Sequence, residues 1–559
     1  MSGITVPDDT KRPPWSMTLG EMLDRVVSQS PHKVYLCYQN YQVTYEEFLS
    51  YTLKAANLFH ELGVKHGDRV CTFLPNGREF PFIWMGLARL GAVCVRINTA
   101  YKQSEMAFIL NDSEAKALVS HHTLMDVAQE AARMCPSLQD SLVVKDGGEA
   151  HPGWKDFWTM LREASPAPSQ TWPDVKPNDL SMLVYTSGTT GNPKGVMITH
   201  EMYVAAGQGF ATWTEATPDD RFITRLPYFH ANAQYYSTMG SLAAGASLIL
   251  EDRFSASRFW DQVRESRATV VNFIGMMMPV LLKQPPAEND RDNSVRVFYG
   301  SPALGPEVLA EFEERFGATV QLGFGMTETC YGTIERLGLP HRRGSSGQPR
   351  WHPDSRFRNE MRSTGEDGSH LPHGQVGEIT IRNPAVMPGY WRNPERTRES
   401  LKDGWLHTGD LGWMDEDGYL YFVDRKKDVV RRRGENISSQ EVEDVIKRHP
   451  GVLDCAVIAV PSDLGEEEVK AYVVNRPFEP TQETGHEPQG GLVDLSPEEV
   501  IYWCAERLAH FKVPRYVEFR DDMPRTPSFR IRKDMLRQER EDLTIGCFDR
   551  ERAGIQLRR

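Results

Sequence analysis

The segment 185–195 limits what this chain can fold into more than any other stretch, because it reads YTSGTTGNPKG and lies between the apolar runs 181–184 and 196–198. Glycines let a backbone approach an anion closely, while amides, hydroxyls and an ammonium donate hydrogen bonds to its oxygens. The segment therefore predicts a phosphate-holding loop between two strands. The candidate donors and glycines are Thr186, Ser187, Gly188, Thr189, Thr190, Gly191 and Lys194.

Two other interpretations fit this loop less well. The common phosphate-binding pattern GxxxxGK followed by Ser or Thr needs a different order, since here two threonines separate the glycines and Pro193 precedes Lys194. A flexible Gly/Ser linker rarely ends in Pro-Lys-Gly between two apolar runs. Phosphate binding is the interpretation that these residues favour.

The chain is too long for one core, because 559 residues exceed the usual ceiling for a single domain. Its longest nearly uncharged apolar stretch, 270–282, is too short to cross a bilayer, so no membrane span is expected. The first 15 residues lack the basic-then-apolar layout of a signal peptide, and a cytoplasmic location is therefore predicted.

The net charge of -13 argues against a general nucleic-acid binder. The basic run 425–433, RKKDVVRRR, is the local exception: it fits a solvated face, a polyanion-binding patch, or a hinge that also meets phosphates. Its position after the strand-like run 419–424 favours the hinge. The cysteines form no CxxC pair and are predicted to be buried thiols in a reducing compartment. They are Cys37, Cys71, Cys94, Cys135, Cys330, Cys455, Cys504 and Cys547.

Helical and strand-like segments alternate from residue 19 to 97, which predicts parallel sheets covered by helices. The runs GEITIR and GYLYFVD indicate an antiparallel or barrel-like piece further on. A third unit begins near residue 428 and reads helix, strand, strand, helix. Its Pro- and Gly-rich stretch 476–495 is predicted to be a disordered surface insertion. The predicted fold class is α/β, with an α+β C-terminal part.

The motif GFGMTET at 323–329 offers a hydroxyl on Thr327 and a carboxylate on Glu328. Mg²⁺ prefers oxygen ligands that it shares with nucleotide phosphates, so Glu328 is the candidate metal ligand and Thr327 a candidate phosphate donor. The glycines are expected to permit a tight strand-to-loop turn. Taken alone, the motif fits the capped start of a helix equally well.

Five further blocks follow a recognisable order around these motifs. They are PYFHANAQ (227–234), YGSPALGPEV (299–308), GEITIRNPAVMPGYWRNPERT (377–397), WLHTGDLG (405–412) and VDRKKDVVRRRGENISS (423–439). Together with the loop and GFGMTET, these blocks resemble the adenylate-forming superfamily over residues 30–540, and most closely its acyl-CoA synthetases. The resemblance implies ATP, Mg²⁺ and coenzyme A as cofactors, with a small carboxylic acid as substrate. It implies no nucleic acid, and a homodimer stays open.

The resemblance also implies a domain plan and a set of roles. An N-terminal AMP-binding domain (1–423), with helix-covered parallel sheets and a small barrel, precedes a hinge (424–430), a small mobile C-terminal α+β domain (431–545) and a charged tail (546–559). The residues implied for ATP, beyond the loop, are Gly300, Ser301, Pro302, Gly323, Phe324, Gly325, Met326, Thr327, Asp410 and Arg425. The hinge residue is Lys427, and those implied for coenzyme A are Gly434 and Glu435. The implied catalytic residues are Lys194, Thr327, Glu328, Arg530 and His230.

One position departs from the family. The family pattern PRTxxGKIxxxxLR contains a Gly-Lys pair near the C-terminus, and its lysine bridges the substrate carboxylate and the α-phosphate. This chain has Phe529 and Arg530 at these two positions. Arginine keeps the charge in a broad planar fork instead of a compact ammonium. Four alternatives follow. Arg530 bridges the carboxylate and the α-phosphate, Lys533 takes that role, or the first half-reaction is impaired. In the fourth, the loop has diverged from the family and its cation is only a surface residue.

The acid substrate is expected to lie against the aromatic-rich block 227–236 and its neighbours. The predicted pocket residues are His230, Asn232, Gln234, Tyr235, Met276, Cys330 and Tyr331. Within the family the chain reads closest to carnitine- or crotonobetaine-type CoA ligases, and a quaternary ammonium would favour an aromatic box that includes Tyr235, Tyr236 and Tyr331. A ligase that loads a separate carrier protein and a nucleotide-binding pseudoenzyme are the alternatives.

Overall fold

The computed structural model describes most of the chain, with gaps. The described residues are 12–145, 151–186, 193–275, 277–301, 305–432, 435–462, 467–476, 495–526 and 531–557.

Helices and strands alternate along the first two-thirds of the chain, as the sequence predicts. The α-helices are Leu19–Gln29 (α1), Tyr45–Glu61 (α2), Glu79–Arg89 (α3), Gln103–Asp112 (α4), Met125–Arg133 (α5), Phe157–Glu163 (α6), His200–Trp213 (α7), Met239–Ala243 (α8), Phe259–Ser266 (α9), Met277–Leu282 (α10), Pro306–Phe316 (α11), Pro394–Ser400 (α12), Ser439–Lys447 (α13), Pro497–Ala505 (α14) and Lys533–Gln538 (α15). A short 3-10 helix spans His122–Leu124, and a π-helix spans Ala233–Thr238.

The strands follow in chain order. They are Val34–Tyr38 (β1), Tyr41–Thr44 (β2), Arg69–Phe73 (β3), Val93–Arg96 (β4), Ala117–His121 (β5), Asp140–Val144 (β6), Lys155–Asp156 (β7), Leu180–Thr186 (β8), Lys194–Thr199 (β9), Arg221–Thr224 (β10), Ser247–Leu250 (β11), Val270–Ile274 (β12), Val297–Ser301 (β13), Thr319–Met326 (β14), Thr329–Ile334 (β15), Gln348–Pro349 (β16), Glu360–Thr364 (β17), Gly377–Arg382 (β18), Leu401–Lys402 (β19), Trp405–Met414 (β20), Leu420–Arg425 (β21), Val430–Arg432 (β22), Glu435–Ile437 (β23), Val452–Pro461 (β24), Glu467–Asn475 (β25), Tyr516–Arg520 (β26) and Phe548–Asp549 (β27).

Two large sheets form the frame. One has the order β7-β6-β5-β3-β4-β8-β9 and is parallel except for the hairpin β8–β9. The other has the order β16-β15-β14-β13-β12-β10-β11-β1-β2, with a parallel centre from β1 to β14. Parallel strands need crossover connections, which the intervening helices supply. Helices therefore cover both sheets, as the α/β class requires.

Three smaller sheets follow. The first has the order β17-β18-β20-β19, with β21 beside β20; it corresponds to the predicted barrel, and its closure stays a prediction. Strands β22 and β23 form a two-stranded ribbon. The third sheet, β24-β25-β26-β27, carries apolar residues on both faces and packs with α13 and α14, which gives the α+β C-terminal part.

The chain divides into two compact units. The first contains residues 1–361, 380–407 and 416–420, and the second contains 362–379, 408–415 and 421–559. The predicted boundary near 423 lies close to the last of these junctions and stays a prediction. The predicted charged tail needs a correction. Strand Phe548–Asp549 pairs with β26, and Asp549 forms an ion pair with Arg515 at 3.2 Å, so residues 546–557 pack with the second unit instead of forming a separate tail.

Other expectations can be compared directly. Seven cysteines are buried and Cys547 is half-buried, all as free thiols, which confirms the thiol prediction. Within the described ranges, no helix combines the length and apolar character needed to cross a bilayer. Most of the predicted surface insertion, residues 477–494, lies outside the described residues.

A buried ion cluster in the first unit makes a testable contribution to stability. The ring of His341 lies 2.9 Å from a Glu335 oxygen and 3.4 Å from a Glu313 oxygen. Hydrogen bonds to Glu313 and then Glu335 raise the pKa of His341 from its ordinary 6.5 to about 10. A raised folded pKa contributes stability that is complete below pH 6.5 and is lost as the pH rises through about 10.

We therefore expect His341→Gln to lower the melting temperature at pH 7 and to change it much less at pH 10. Melting curves of the wild type and the variant at both pH values measure this difference. An equal difference in melting temperature at the two pH values would contradict a charged His341.

Candidate active site

The predicted phosphate loop connects the two strands of a hairpin. Thr186 ends β8 and pairs in antiparallel register with Lys194, the first residue of β9. The two strand-like runs that flanked the loop in the sequence are therefore real strands. The remaining loop residues, Ser187, Gly188, Thr189, Thr190 and Gly191, lie outside the described residues.

A tyrosine links this hairpin to the GFGMTET motif. The ammonium of Lys194 lies 4.6 Å from the ring centroid of Tyr390, within cation–π distance. The hydroxyl of Tyr390 donates a 2.8 Å hydrogen bond to Oε1 of Glu328. Burial and then the Glu328 carboxylate raise the pKa of Tyr390, so its hydroxyl keeps its proton and acts as donor. One side chain thus contacts both the candidate phosphate cation and the candidate metal ligand.

The backbone strengthens the same junction. The amide of Met387 donates to the carbonyl of Glu328 at 2.8 Å, and the amide of Trp391 donates to the carbonyl of Gly195 at 2.7 Å. The segment 387–391 therefore contacts both the β9 hairpin and the β14–β15 turn. This segment belongs to the sequence block PGYW, whose tyrosine the sequence interpretation did not single out.

The motif GFGMTET forms a strand and a turn. Gly323 to Met326 lie in β14, and Thr327 and Glu328 form the turn into β15, so the alternative of a helix start is wrong. Glu328 is 8% exposed and Thr327 is half-buried. The glycines are also a correction, because they lie within the strand: a Cβ on Gly323 would stand 2.8 Å from the carbonyl of Thr333.

The remaining nucleotide candidates of the first unit lie where β13 ends. Gly300 is buried and Ser301, the last residue of β13, is exposed. Ligands of open parallel sheets bind at the carboxyl ends of the strands, which is where Ser301 lies. Pro302 lies outside the described residues. Phe324 is buried and Met326 half-buried on β14, which runs beside β13.

The second unit carries the ribose candidates. Asp410 lies within β20 and is 8% exposed, and its Oδ1 is 3.6 Å from Nε of Arg425, the last residue of β21. Gly409 has a φ of +73°, a conformation that glycine adopts without strain, and its amide donates to Glu378 at 3.0 Å. The HTGD motif is therefore a kinked strand with a carboxylate and a guanidinium side by side.

The hinge candidate is the middle of a turn in the second unit. The amide of Asp428 donates to the carbonyl of Arg425 at 2.8 Å, and Lys427 lies between them. Asp428 is buried, and its carboxylate accepts a 2.6 Å hydrogen bond from Arg537. The contacts of the two coenzyme A candidates are not described. Gly434 lies outside the described residues, and of Glu435, in β23, only the backbone is described.

The anomalous C-terminal loop is only partly described. Arg530 lies outside the described residues, whereas Lys533 begins α15. The ammonium of Lys533 lies 2.6 Å from Oγ of Ser439 and 2.7 Å from Oε1 of the buried Glu443. Lys533 is therefore held in a buried ion pair within its own unit. A lysine in such a pair is poorly suited to replace the family's bridging lysine.

The predicted acid pocket contains a π-helix, Ala233–Thr238, a rare geometry that is frequent at functional sites. His230 precedes it, and its Nε2 is buried with no hydrogen-bond partner among the described residues. Burial lowers the pKa of His230 to about 4, so the imidazole is neutral at pH 7. Asn232 accepts a 2.9 Å hydrogen bond from Asn272, and Tyr235 donates to the carbonyl of Thr327 at 3.0 Å.

Three of the predicted pocket residues are used elsewhere. Gln234 is fully buried; its oxygen accepts from Tyr203 and its nitrogen donates to the Tyr228 carbonyl at 2.6 Å, so its amide is bound within the core. The ring of Tyr331 packs in the core, and its hydroxyl donates to the Ala205 carbonyl. Burial raises the pKa of Cys330 to about 12, which keeps it an inert thiol. Met276 lies outside the described residues.

A nucleotide-dependent, acid-activating ligase fits these features: the two helix-covered sheets, the contact of Lys194 with the Tyr390 ring, the hydrogen bond from Tyr390 to Glu328 and, within the second unit, the Asp410–Arg425 pair. The chain belongs to the AMP-binding enzyme family: that family's model matches residues 23–391, and the model of the AMP-binding enzyme C-terminal domain matches residues 441–530.

Relatives and solved structures agree with this assignment. The chain is 35% identical to a crotonobetaine/carnitine–CoA ligase of Escherichia coli O157:H7 over 87% of this chain and 91% of that protein. The fold matches the anthranilate CoA ligase AuaEII in complex with anthranoyl-AMP, with a TM-score of 0.82 and 25% identity over 94% of this chain and 98% of that one. It also matches ATP-bound MatB from Rhodopseudomonas palustris, with a TM-score of 0.81 and 28% identity over 94% and 100%.

The activity of the chain follows from this membership. It is an AMP-forming acid–thiol ligase: a carboxylate attacks ATP to give an acyl-adenylate and pyrophosphate, and the thiol of coenzyme A then displaces AMP to give the acyl-CoA thioester. The acyl-CoA synthetase branch and the ATP and coenzyme A dependence predicted from the sequence are thereby confirmed.

Proposed function

We propose that Lys194, Tyr390 and Glu328 form the charge-handling core of the adenylation step. Two anions, the carboxylate and the triphosphate, must meet before the acyl-adenylate can form, so positive charge fixed in advance lowers the barrier. Lys194 neutralises charge on the departing pyrophosphate. The single observation that carries this proposal is the contact of Tyr390 with both Lys194 and Glu328.

Glu328 and Thr327 fit a Mg²⁺ ion that also binds the nucleotide. A carboxylate and a hydroxyl on one turn are the hard oxygen donors that Mg²⁺ prefers, and the ion takes its other ligands from phosphates and water. When bound, Mg²⁺ would polarise the phosphoryl oxygens as a Lewis acid. Tyr390 orients the Glu328 carboxylate, because its hydroxyl occupies Oε1 and restricts how the group rotates.

The ribose of ATP is held by Asp410 and Arg425 in this proposal. A carboxylate can accept hydrogen bonds from two ribose hydroxyls, and the Arg425 guanidinium lies 3.6 Å from it. Gly300 and Ser301 flank the adenine, and the neutral His230 contributes an uncharged wall beside the acid. The proposed location is the cytoplasm. The proposed acceptor of the acyl group is coenzyme A rather than a carrier protein, and a homodimer is one candidate for the oligomeric state.

The direct experiment incubates the purified chain with ATP, Mg²⁺, coenzyme A and a mixed pool of carboxylic acids, and detects acyl-CoA by mass spectrometry. We expect at least one acyl-CoA mass and stoichiometric AMP. Formation of acyl-AMP without acyl-CoA would indicate that a carrier protein, and not coenzyme A, accepts the acyl group. Nucleotide binding without AMP formation from any acid would indicate that the chain is a nucleotide-binding pseudoenzyme.

Tyr390→Phe tests how Glu328 is positioned. The ring that faces Lys194 remains, but Oε1 of Glu328 loses its donor, and a hydrogen bond to a charged group is worth enough to change the rate about tenfold. We expect slower ATP–pyrophosphate exchange that needs more Mg²⁺ for half-saturation. Tyr390→Leu, which also removes the ring, should be slower still. An unchanged Mg²⁺ dependence in Tyr390→Phe would contradict the positioning role.

Lys427→Pro tests the turn 425–428 as a pivot. Proline fixes φ and drives the preceding residue away from helical backbone angles, so the turn loses the freedom that a hinge needs. We expect one half-reaction to survive while the other fails, because family members change domain arrangement between the steps. Pyrophosphate exchange and thioester formation from presynthesised acyl-AMP are measured separately. Equal loss of both in a folded variant would count against a pivot at Lys427.

A further inference from the structure

A buried arginine next to the predicted acid pocket has no carboxylate partner in the part of the chain that the structure describes. Arg350 is 1% exposed, and its amide donates to the carbonyl of Gly332 at 2.9 Å, which fixes the backbone after β16. Its guanidinium donates to four oxygens, all of them neutral. These are the carbonyls of Thr333 and Cys330 and the hydroxyls of Tyr236 and Tyr299.

No carboxylate in the described parts of the chain forms an ion pair with this guanidinium. The buried Arg96 and Arg225 likewise donate to neutral oxygens, whereas the more exposed Arg296 and Arg315 pair with aspartates. Arginine stays charged in proteins, so the fold carries a net positive charge in its interior. The rings of Trp213 and Tyr236, with centroids 4.8 and 4.9 Å from the guanidinium carbon, offset part of its desolvation. A buried charge without a counterion is costly, and an anion supplied from outside would offset part of that cost.

The cluster lies against the strand that leads into the reacting turn. A Cβ on Gly325 would stand 3.3 Å from one guanidinium nitrogen and 2.9 Å from the Tyr236 hydroxyl, so only a glycine leaves room there. Gly325 is exposed. It precedes Thr327 by two residues, a distance of about 7 Å along an extended chain. The exposed Gly325 thus lies between Thr327 and the cluster, on the route that the other end of a substrate would take.

The aromatic groups near the cluster do not suit a cationic headgroup. The Tyr236 ring already faces the Arg350 guanidinium, and Tyr235 uses its hydroxyl on the Thr327 carbonyl. A quaternary ammonium brought to Tyr236 would meet a positive charge, which repels it. The aromatic box predicted from Tyr235, Tyr236 and Tyr331 is therefore not supported by this geometry.

We propose that Arg350 binds a second carboxylate of the substrate, and that the acid activated by this enzyme is a short dicarboxylic acid. The inference rests on the proposed function, because it takes adenylation to occur beside Thr327. One carboxylate receives the AMP group, and the distal carboxylate pairs with the guanidinium. The Tyr299 hydroxyl, which now accepts from Arg350, is placed to donate to the same carboxylate, whereas the Tyr236 hydroxyl donates to the Cys330 carbonyl at 3.3 Å.

The test compares acids of matched length in ATP–pyrophosphate exchange. Succinate, glutarate and adipate are paired with butyrate, valerate and hexanoate, and carnitine and crotonobetaine supply the cationic group. We expect kcat/KM for the best dicarboxylate to exceed that of its monocarboxylate by about 10²-fold, since a site built for a polar group rejects analogues that lack it. Equal or better use of monocarboxylates or of the betaines would overturn the inference while leaving the ligase activity intact.

Two variants sharpen the result. Arg350→Met should lower kcat/KM for the dicarboxylate by about 10²-fold and spare the monocarboxylate, while Arg350→Lys should recover part of the loss. Dicarboxylate use unchanged in a folded Arg350→Met would contradict the assignment. If Arg350→Met does not fold, the wild-type preference among acids decides. Absence of exchange with every acid would refute the proposed adenylation, a failure that is distinct from a wrong substrate class.

Discussion

Lys194→Ala and Glu328→Ala should each slow adenylation by on the order of 10²-fold without unfolding the protein. In the proposed mechanism both side chains act where charge develops on the pyrophosphate leaving group. The backbone contacts of Glu328 and Gly195 with segment 387–391 do not need either side chain. ATP–pyrophosphate exchange measures the loss, and a melting curve confirms that the fold persists.

A matched control separates this effect from the loss of any lysine. Lys176 lies ahead of β8, and its ammonium forms an exposed ion pair with Asp174; such pairs contribute little. We expect Lys176→Ala to exchange at the wild-type rate. Wild-type exchange in a folded Lys194→Ala would remove the loop from the mechanism, whereas equal losses in both lysine variants would point to a nonspecific effect of charge.

Arg530→Ala and Lys533→Ala should fail in different ways. If Arg530 bridges the carboxylate and the α-phosphate, its removal should lower acyl-AMP formation by about 10²-fold or more and leave thioester formation from presynthesised acyl-AMP largely intact. The bridging charge is needed only where two anions meet. Arg530→Lys should retain part of the adenylation rate, because the charge is kept.

Lys533→Ala is expected to act on stability. Its ammonium pairs with Glu443, which is 3% exposed, and removal of one partner of a buried pair costs about 3 kcal/mol. A lower melting temperature with a near-wild-type adenylation rate at low temperature is the expected result. The double variant Lys533→Met, Glu443→Gln should recover much of the stability, because neither charge is then left alone. Loss of adenylation in Lys533→Ala with an unchanged melting temperature would instead make Lys533 the bridging cation.

The sequence was a good guide wherever function depends on neighbours in the chain. The loop between β8 and β9 and the turn at Thr327 and Glu328 lie in short motifs with characteristic residues. Asp410 and Arg425 were each candidates from such motifs, although their 3.6 Å contact was not predicted. Apolar periodicity likewise predicted the alternating helices and strands, because burial on one face leaves a regular pattern.

The sequence was a poor guide wherever function depends on contacts between distant segments. Tyr390 is 196 residues from Lys194 and 62 from Glu328, so no local pattern reports that it contacts both. Gln234 has the chemistry of a pocket wall, yet its partners Tyr203 and Tyr228 place it in the core. Arg350 follows Gly-Gln-Pro and reads like a surface arginine, because only the folded strands enclose it.

Transfer of labelled oxygen tests the central claim most directly. The enzyme is supplied with ATP, Mg²⁺, coenzyme A and its best acid, labelled with ¹⁸O in the carboxylate, and the nucleotide product is analysed by mass spectrometry. An acyl-adenylate leaves one carboxylate oxygen on the phosphate of AMP when the thiol displaces it. We predict AMP that carries one ¹⁸O, together with unlabelled pyrophosphate. Label in inorganic phosphate with ADP as the product would show an acyl-phosphate route and contradict the account.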